Sequence, residues 1–441
     1  MVSVPEKDAG RYSVDVITTV EGFDTMAPVW ETIFKASCAS LFQSFDWQRT
    51  WWEYYGEEHH ERRLHILLVS IDGSPVGIAP FFIEHVHGSG LLGYARLAFI
   101  GEESSDYLDL IVMPELAEPI ALVCARWIAE EAASSDVLIL EEMPDRSAAS
   151  RVMYEALSGF GFRGSRFISE QCPRTQLKPT WEETLASFAI NHRREINRRR
   201  RNMSKAYTVE FEVCSEPDAL LADMDDFIAM HQYRWNAAGK LGVFAHPDAA
   251  AFHKKIAARL LEKGMLLLTF LRLNGVRTAA SYGFIYGGEV SIYLTGVGDA
   301  GDAWKLSPGR VLMGYCMEEA ARRGVKVFDF MRGTESYKYE FDGVDVPNWT
   351  LVMFAPGSRL APMKLKVDFL ARSLVKRTKQ EWFALQRFVG DHGVFSIPTM
   401  RYLGGQLRMF LSDGVQKARS PERSVSQSRA TNSPNEGATV S

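Results

Sequence analysis

One motif written twice constrains this chain more than any other feature. Residues 64–82 read LHILLVSIDGSPVGIAPFF and residues 266–284 read LLLTFLRLNGVRTAASYGF. Each is an apolar β-rich run, an Asp-Gly or Asn-Gly pair, and a second β-rich run. The pair is hairpin chemistry, because a type I′ turn needs two residues at positive φ. Each hairpin leads through more β-rich sequence to a long helical pattern and then a buried strand pattern. In the first half these are Pro114–Ala133 and Asp136–Met143, and in the second the helix opening at Ser307 and the strand Val325–Met331. The expectation is an α/β (α+β) chain of two related lobes, about 14–172 and 173–354, each a mixed twisted sheet flanked by helices.

The ends of the chain differ from this body. Residues 1–13 read as a loose arm. Between Arg359 and Arg419 twelve Lys/Arg face four acids, and Leu360, Met363, Val367, Leu370 and Leu374 follow a helical period. The expectation is a basic helical tail over 355–417, touching a membrane surface or an acidic partner, or packing back with a solvated basic face. Residues 418–441 are Ser-, Arg- and Pro-rich without periodicity and read as disordered.

The 441 residues are 46% hydrophobic and 12% aromatic, enough for packed cores, and the net charge of −5 argues against a nucleic-acid-coating protein. The five cysteines are scattered with no CxxC and no metal-ligand spacing, which fits reduced thiols and no metal. No apolar leader and no run of about 18 apolar residues is present, so the expectation is a cytoplasmic protein. Phe45, Trp47, Trp51, Trp52 and Tyr55 recur near helical spacing, which reads as packing.

The stretch from Leu306 to Gly343 carries most of the chemistry. Ser307 suits an N-cap and Pro308 the first helical position. Gly309 lets a ligand approach the backbone, and the N–H groups of Gly309, Arg310 and Val311 would face it at the positive end of the helix dipole. Gly324 suits the helix end. Asp329, Arg332, Glu335, Tyr337 and Lys338 then cluster where the strand ends, which is where open α/β sheets put ligands. The plain alternative is a capped helix followed by a core strand. In the first half the matching helix opens on Met113-Pro114-Glu115, whose acid would repel a phosphate.

Ser-Pro-Gly, a helix and then DFMRGTESYK, with FQSFDWQRTWW, DYLDL and HQYRW elsewhere, resemble the FemAB-like branch of the GNAT acyltransferase superfamily. Within that branch the chain is similar to the group named for cellulose-biosynthesis acetyltransferases. The resemblance covers nearly all of both lobes. It implies tandem GNAT lobes and acyl transfer from a thioester carrier, acyl-CoA or acyl carrier protein, to a hydroxyl or amine. The acceptor would be a small molecule or glycan of polysaccharide or cell-envelope synthesis, at the inner membrane surface if the tail binds there. Ser307, Pro308, Gly309, Arg310 and Val311 would hold the carrier's phosphates, and Tyr337 would protonate the departing thiolate.

Glu335 is then the first candidate base and His231 the second, with Arg234 and Trp235 beside the acceptor. Asp329, Arg332 and Lys338 are further candidate substrate contacts, although an ion pair is the simpler account of Asp329. Residues 192–205 hold six arginines, of which Arg194, Arg198 and Arg201 share a helical face with Lys205. That face is either solvated or a site for a phosphate, an acidic carrier protein or an RNA. Two other readings remain: aminoacyl transfer from tRNA, against which the missing helical arm of the Fem peptidyltransferases argues, and a non-catalytic subunit of a polysaccharide-synthesis complex.

Overall fold

The structure is a computed structural model that describes residues 11–87, 93–131 and 135–368. Residues 1–10 of the expected arm, the tail from 369 to 417 and the expected disorder of 418–441 lie outside the described residues. Within 355–368, residues 361–368 are helical.

Thirteen strands join in one mixed sheet. They are β1 (Tyr12–Ile17), β2 (Arg62–Ile71), β3 (Ser74–Val86), β4 (Tyr94–Phe99), β5 (Ile111–Val112), β6 (Val137–Pro144) and β7 (Arg163–Gln176) from the first half. The second half gives β8 (Val209–Val213), β9 (Leu266–Leu273), β10 (Val276–Tyr286), β11 (Glu289–Val297), β12 (Val327–Asp329) and β13 (Val344–Phe354). The order is β1-β2-β3-β4-β6-β13-β7-β12-β11-β10-β9-β8, with β5 on β3. The final strands of the two halves are therefore exchanged: β13 pairs with β6, and β7 pairs with β12. The junction at 172/173 falls inside β7.

The two hairpins turn as their sequences dictate. Asp72 and Gly73 take φ of 49° and 78°, and Asn274 and Gly275 take 51° and 81°, the left-handed pair a type I′ turn requires. One face of the sheet carries a core shared by both halves, built on helices Ala27–Ala36, Phe45–Tyr55, Leu220–Ala237 and Pro247–Glu262. Trp30, Trp47 and Trp51 are fully buried there. Each such ring hides on the order of 200 Å², about 5 kcal/mol of transfer free energy. On the other face, Ala117–Glu130 and Ala149–Gly159 cover the first half, and Ile190–Ala206 and Pro308–Arg322 cover the second.

Three elements depart from what their sequence patterns suggest. The helical pattern over 180–206 breaks into Trp181–Ser187 and Ile190–Ala206, where Phe188 is buried and the Ala189 N–H donates to Asp342 at 2.8 Å. The 325–331 strand shortens to β12, because the Asp329 carboxylate takes the Met331 N–H at 2.7 Å and Met331 turns to a φ of 60°. The β-rich run Tyr107–Val112 is a strand only at β5.

In each half two parallel strands start paired and then part. β4 meets β6 only at Arg96↔Val137 and Leu97↔Leu138. β11 meets β12 only at Glu289↔Val327, Val290↔Phe328 and Ser291↔Asp329, and runs on to Val297 with that edge unpaired.

Candidate active site

Past the point where β11 parts from β12, the end of β11 borders a cavity of about 350 Å³. The end of β11 (Thr295, Val297) and Ala280 of β10 form one wall. The mouth of the Pro308–Arg322 helix (Ser307, Pro308, Gly309, Arg310, Leu312, Met313) forms another, and Arg234, Trp304 and Tyr337 complete it. Six residues that the sequence marked, far apart in the chain, thus meet around one space: Arg234, Ser307, Pro308, Gly309, Arg310 and Tyr337.

The helix mouth differs from expectation in detail. Ser307 is the N-cap, but at φ 57° and ψ 62° its hydroxyl makes no cap bond. Its carbonyl instead accepts from the N–H groups of Arg310 (3.0 Å) and Val311 (3.2 Å). Of the three N–H groups expected to be free, Gly309's alone makes no hydrogen bond among the described residues. A Cβ on Gly309 would sit 3.3 Å from Val297 Cγ2, so glycine keeps the mouth close to β11. Val311 faces the core, 2% exposed, and is not in the wall. The helix ends as its sequence suggests, with Gly324 at φ 72° and its N–H on the Ala321 carbonyl at 2.9 Å.

Arg234 and Arg310 are the charged residues of the wall; no carboxylate or imidazole belongs to it. Arg310 lies 3.5 Å from Glu340. Arg234 has no carboxylate partner among the described residues and donates to the Thr295 hydroxyl at 2.8 Å. Thr295 is fixed in turn from behind, because its carbonyl accepts from Nδ1 of His231 at 3.0 Å. Burial lowers His231 to about 4, so the ring is neutral and Nδ1 carries the proton. Nε2, on the far side of the ring, is buried without a partner among the described residues. His231 therefore stands one layer behind the wall, among Phe227, Trp235 and Phe244.

Tyr337 is placed by the short Ser336–Tyr339 turn of helix. Burial pushes its hydroxyl up to about 12, with nearby Glu335 adding and Arg234 opposing, so it is a proton donor at neutral pH. Glu335 is half exposed and its carboxylate lies 2.9 Å from Lys338 Nζ, folded over Gly333. Lys338 is buried and its ammonium also donates to the carbonyls of Met331 (3.0 Å), Arg332 (2.7 Å) and Gly333 (3.0 Å), locking the loop that ends at Tyr337.

Asp329 and Arg332 point toward the first half. Asp329, fully buried, accepts from the Tyr107 hydroxyl at 2.7 Å and lies 2.9 Å from Arg174; burial lifts its pKa to about 6. Arg332 is paired with Asp106 (3.0 Å) and Glu142 (3.1 Å) and donates to the Glu103 carbonyl. Trp235 is half-buried behind His231, with Lys240 over its ring at 5.7 Å. Thr295, Trp304 and the parting strands were invisible to the sequence reading. The length of β11 was legible, but not how little of it β12 would pair. Among the described residues no group of three or more His, Cys, Asp or Glu gathers as a metal site would need, and no helix is long and apolar enough to cross a membrane.

Residues 191–339, from the arginine helix to the end of the Tyr337 turn, match the family model of an acetyltransferase (GNAT) domain. No curated protein matches the chain. Among solved structures, the crystal structure of FemX superposes with a TM-score of 0.55 at 11% identity, over 80% of this chain and 99% of that one. A conserved protein of unknown function from Bacteroides thetaiotaomicron VPI-5482 gives 0.47 at 11% identity, over 78% and 100%. L-PGS from Bacillus licheniformis gives 0.46 at 13%, over 77% and 95%. At such identities the likeness is one of fold.

Proposed function

On a fold of two tandem GNAT-like lobes, we propose that this chain is an acyltransferase whose second lobe takes a thioester donor, acyl-CoA or an acyl carrier protein, and passes the acyl group to a hydroxyl or amine. The observation that carries this reading is the cavity beside the unpaired end of β11, with a helix N-terminus at one wall and Tyr337 at another. The donor's phosphate sits at Gly309 and Arg310, where a free N–H, the helix dipole and a guanidinium all favour an anion. Its pantetheine arm runs along the unpaired edge of β11, whose backbone groups have no strand to bond.

The acceptor's nitrogen or oxygen attacks the thioester carbonyl, the new C–N or C–O bond forms, and the C–S bond breaks. Tyr337 gives its proton to the leaving thiolate. Glu335, an exposed carboxylate two residues before Tyr337, receives the acceptor's proton through water once it swings from Lys338. Arg234, held by Thr295 and through it by His231, offers its charge to the carbonyl oxygen as negative charge develops there. Asp329, Arg332 and Lys338 act at one remove, by holding the loop that carries Tyr337. A glycan or other cell-envelope acceptor follows from the sequence resemblance alone.

Gly309→Glu tests the donor site, since it puts bulk and negative charge into the mouth on a residue whose φ is ordinary. Calorimetry with acetyl-CoA should show at least a tenfold loss of affinity with an unchanged unfolding transition. Wild-type affinity in this variant would remove the donor from this cavity.

A further inference from the structure

Helix Ile190–Ala206 packs against the Gly301–Leu306 turn and against Pro308–Arg322, the two elements that form the cavity mouth. Five of its six arginines divide into two sets, and the sixth, Arg193, donates to the Ala186 carbonyl at 3.5 Å. Arg199 is 13% exposed and held by Glu195 and Glu340; Arg200 is 18% exposed, bonded to Glu318 at 2.8 Å and stacked over Tyr315. Arg198 is bonded to Glu195. Arg194, Arg201 and Lys205 lie on the outer face, exposed and without a carboxylate partner among the described residues. The arginine helix and the turn beside it each expose one large apolar side chain, Ile190 at 52% and Trp304 at 56%, and Trp304 is part of the cavity wall.

We infer that this face is the docking surface for an acidic acyl carrier protein, which delivers the thioester into the cavity on its prosthetic arm. The inference rests on the acyltransferase reading above and names the donor's source. The cavity, about 350 Å³, is near the lower end of small-molecule sites, roughly 300–1,000 Å³, so it suits a thioester on a slender arm with the rest of the donor outside. Whatever stays outside lies by the mouth formed by the Gly301–Leu306 turn and Pro308–Arg322, against which the arginine helix packs. The row from Arg194 to Lys205 is about 16 Å long on one convex helix, the footprint of a single acidic helix laid alongside. An RNA strand would need a groove that follows its backbone and aromatic platforms for its bases. Three unpaired cations in a chain of net charge −5 mark one spot rather than a general basic coat, which is how charge complementarity orients an encounter.

The test uses a fluorescein-labelled, octanoyl-loaded bacterial acyl carrier protein, with fluorescence anisotropy on the full chain. Wild type should bind it with an affinity that falls steeply with salt. The triple variant Arg194→Glu, Arg201→Glu, Lys205→Glu should bind it at least tenfold more weakly and with a flatter salt dependence, while acetyl-CoA affinity stays within twofold. Glutamines at the same positions should fall between, which separates lost attraction from repulsion or misfolding. Equal carrier affinity in wild type and triple variant overturns the inference. So does a wild type that binds acetyl-CoA but no carrier protein, and that result leaves the acyltransferase reading standing. Failure to bind either donor removes both. Labelled tRNA that binds more tightly than the carrier, and is released by the triple variant, overturns it in favour of a nucleic-acid surface.

Discussion

The two halves of this molecule open the same gap and treat it in opposite ways. In the first half, residues 101–110 fold back into the space where β4 leaves β6. The Leu108 N–H takes the Glu142 carbonyl at 3.0 Å, on the edge β4 has vacated. Gly101, Glu102 and Ser105 to Leu110 are all buried. Glu102 is held by a two-pronged bond from Arg96, itself 8% exposed, and Trp47 donates to Ser105 at 2.9 Å. In the second half the connection from β11 to its helix is shorter and stays outside as the Gly301–Leu306 turn, so the gap remains a cavity. A parting of parallel strands is thus a space that the sequence must either fill or use. Here the filled one also supports the open one, because Tyr107 and Asp106 anchor Asp329 and Arg332 beneath the Tyr337 loop.

The largest effect should come from loosening the filled gap. Arg96→Met keeps the apolar stem but leaves Glu102 buried with no counter-charge bonded to it and Glu84 with Arg62 alone. Breaking such a buried pair from one side costs about 3–5 kcal/mol. Urea denaturation should show that loss. A shift under about 1 kcal/mol would mean the segment is held by its apolar contacts and not by this network.

Next in size is a contrast between two tyrosines, one from each half. Tyr337→Phe removes a proton donor facing the cavity and almost no volume, and should lower turnover on the order of 10²-fold with little change in donor affinity. Tyr107→Phe removes a hydroxyl already engaged by Asp329, leaving that buried carboxylate with Arg174 and the Met331 N–H. Its cost should appear as about 1–2 kcal/mol of stability, with turnover per folded molecule nearly kept. If the roles are reversed, with Tyr107→Phe inactive and Tyr337→Phe active, the chemistry lies on the filled side. Glu335→Gln should also lower turnover if Glu335 receives the acceptor's proton, and a rate unchanged across pH would exclude it as the base.

This contrast also explains what the sequence could convey. The helix from Pro308 and its end at Gly324 were legible because proline and glycine act locally. The two Gly-paired turns were legible for the same reason. The broken helix at Phe188 was not, because Asp342, more than 150 positions away, takes the Ala189 N–H. Asp329 and Arg332 looked like site residues because they flank Tyr337 in the chain. Their partners Tyr107, Asp106 and Glu142 are side chains of the other half, brought over by the exchange of β7 and β13, and no local pattern announces an exchange. The arginine run showed its density but not its division, since Glu318 and Glu340 lie over 100 residues downstream.

The smallest expected effect is a pair of pH dependences of opposite sign, one from buried carboxylates and one from buried histidines. In the first, burial lifts Glu142 to about 7, with Arg332 and Asn348 opposing and Asp106 adding. Its folded value lies above the usual carboxylate range, so the stability it brings is present at low pH and is lost as pH rises from about 4.5 to 7. In the second, burial lowers His253 to about 3 and His231 to about 4. Their folded values lie below that of free histidine, so their contribution is present above about 6.5 and is lost as pH falls toward those values. Between about pH 4.5 and 6.5 the two trends oppose and partly cancel in the wild type. Glu142→Gln removes the first trend, so its stability should fall on acidification across that window, by on the order of 1–2 kcal/mol. His253→Phe sits among Trp47, Phe252, Tyr282 and Tyr293, where a ring of similar shape can pack, and removes part of the second. Its profile should tilt the other way, toward greater stability at the acid end. Denaturation midpoints at half-unit pH steps would read both slopes. Parallel curves for wild type and the two variants would show that neither group titrates across folding, and the electrostatic half of the comparison would fall while its geometry stood.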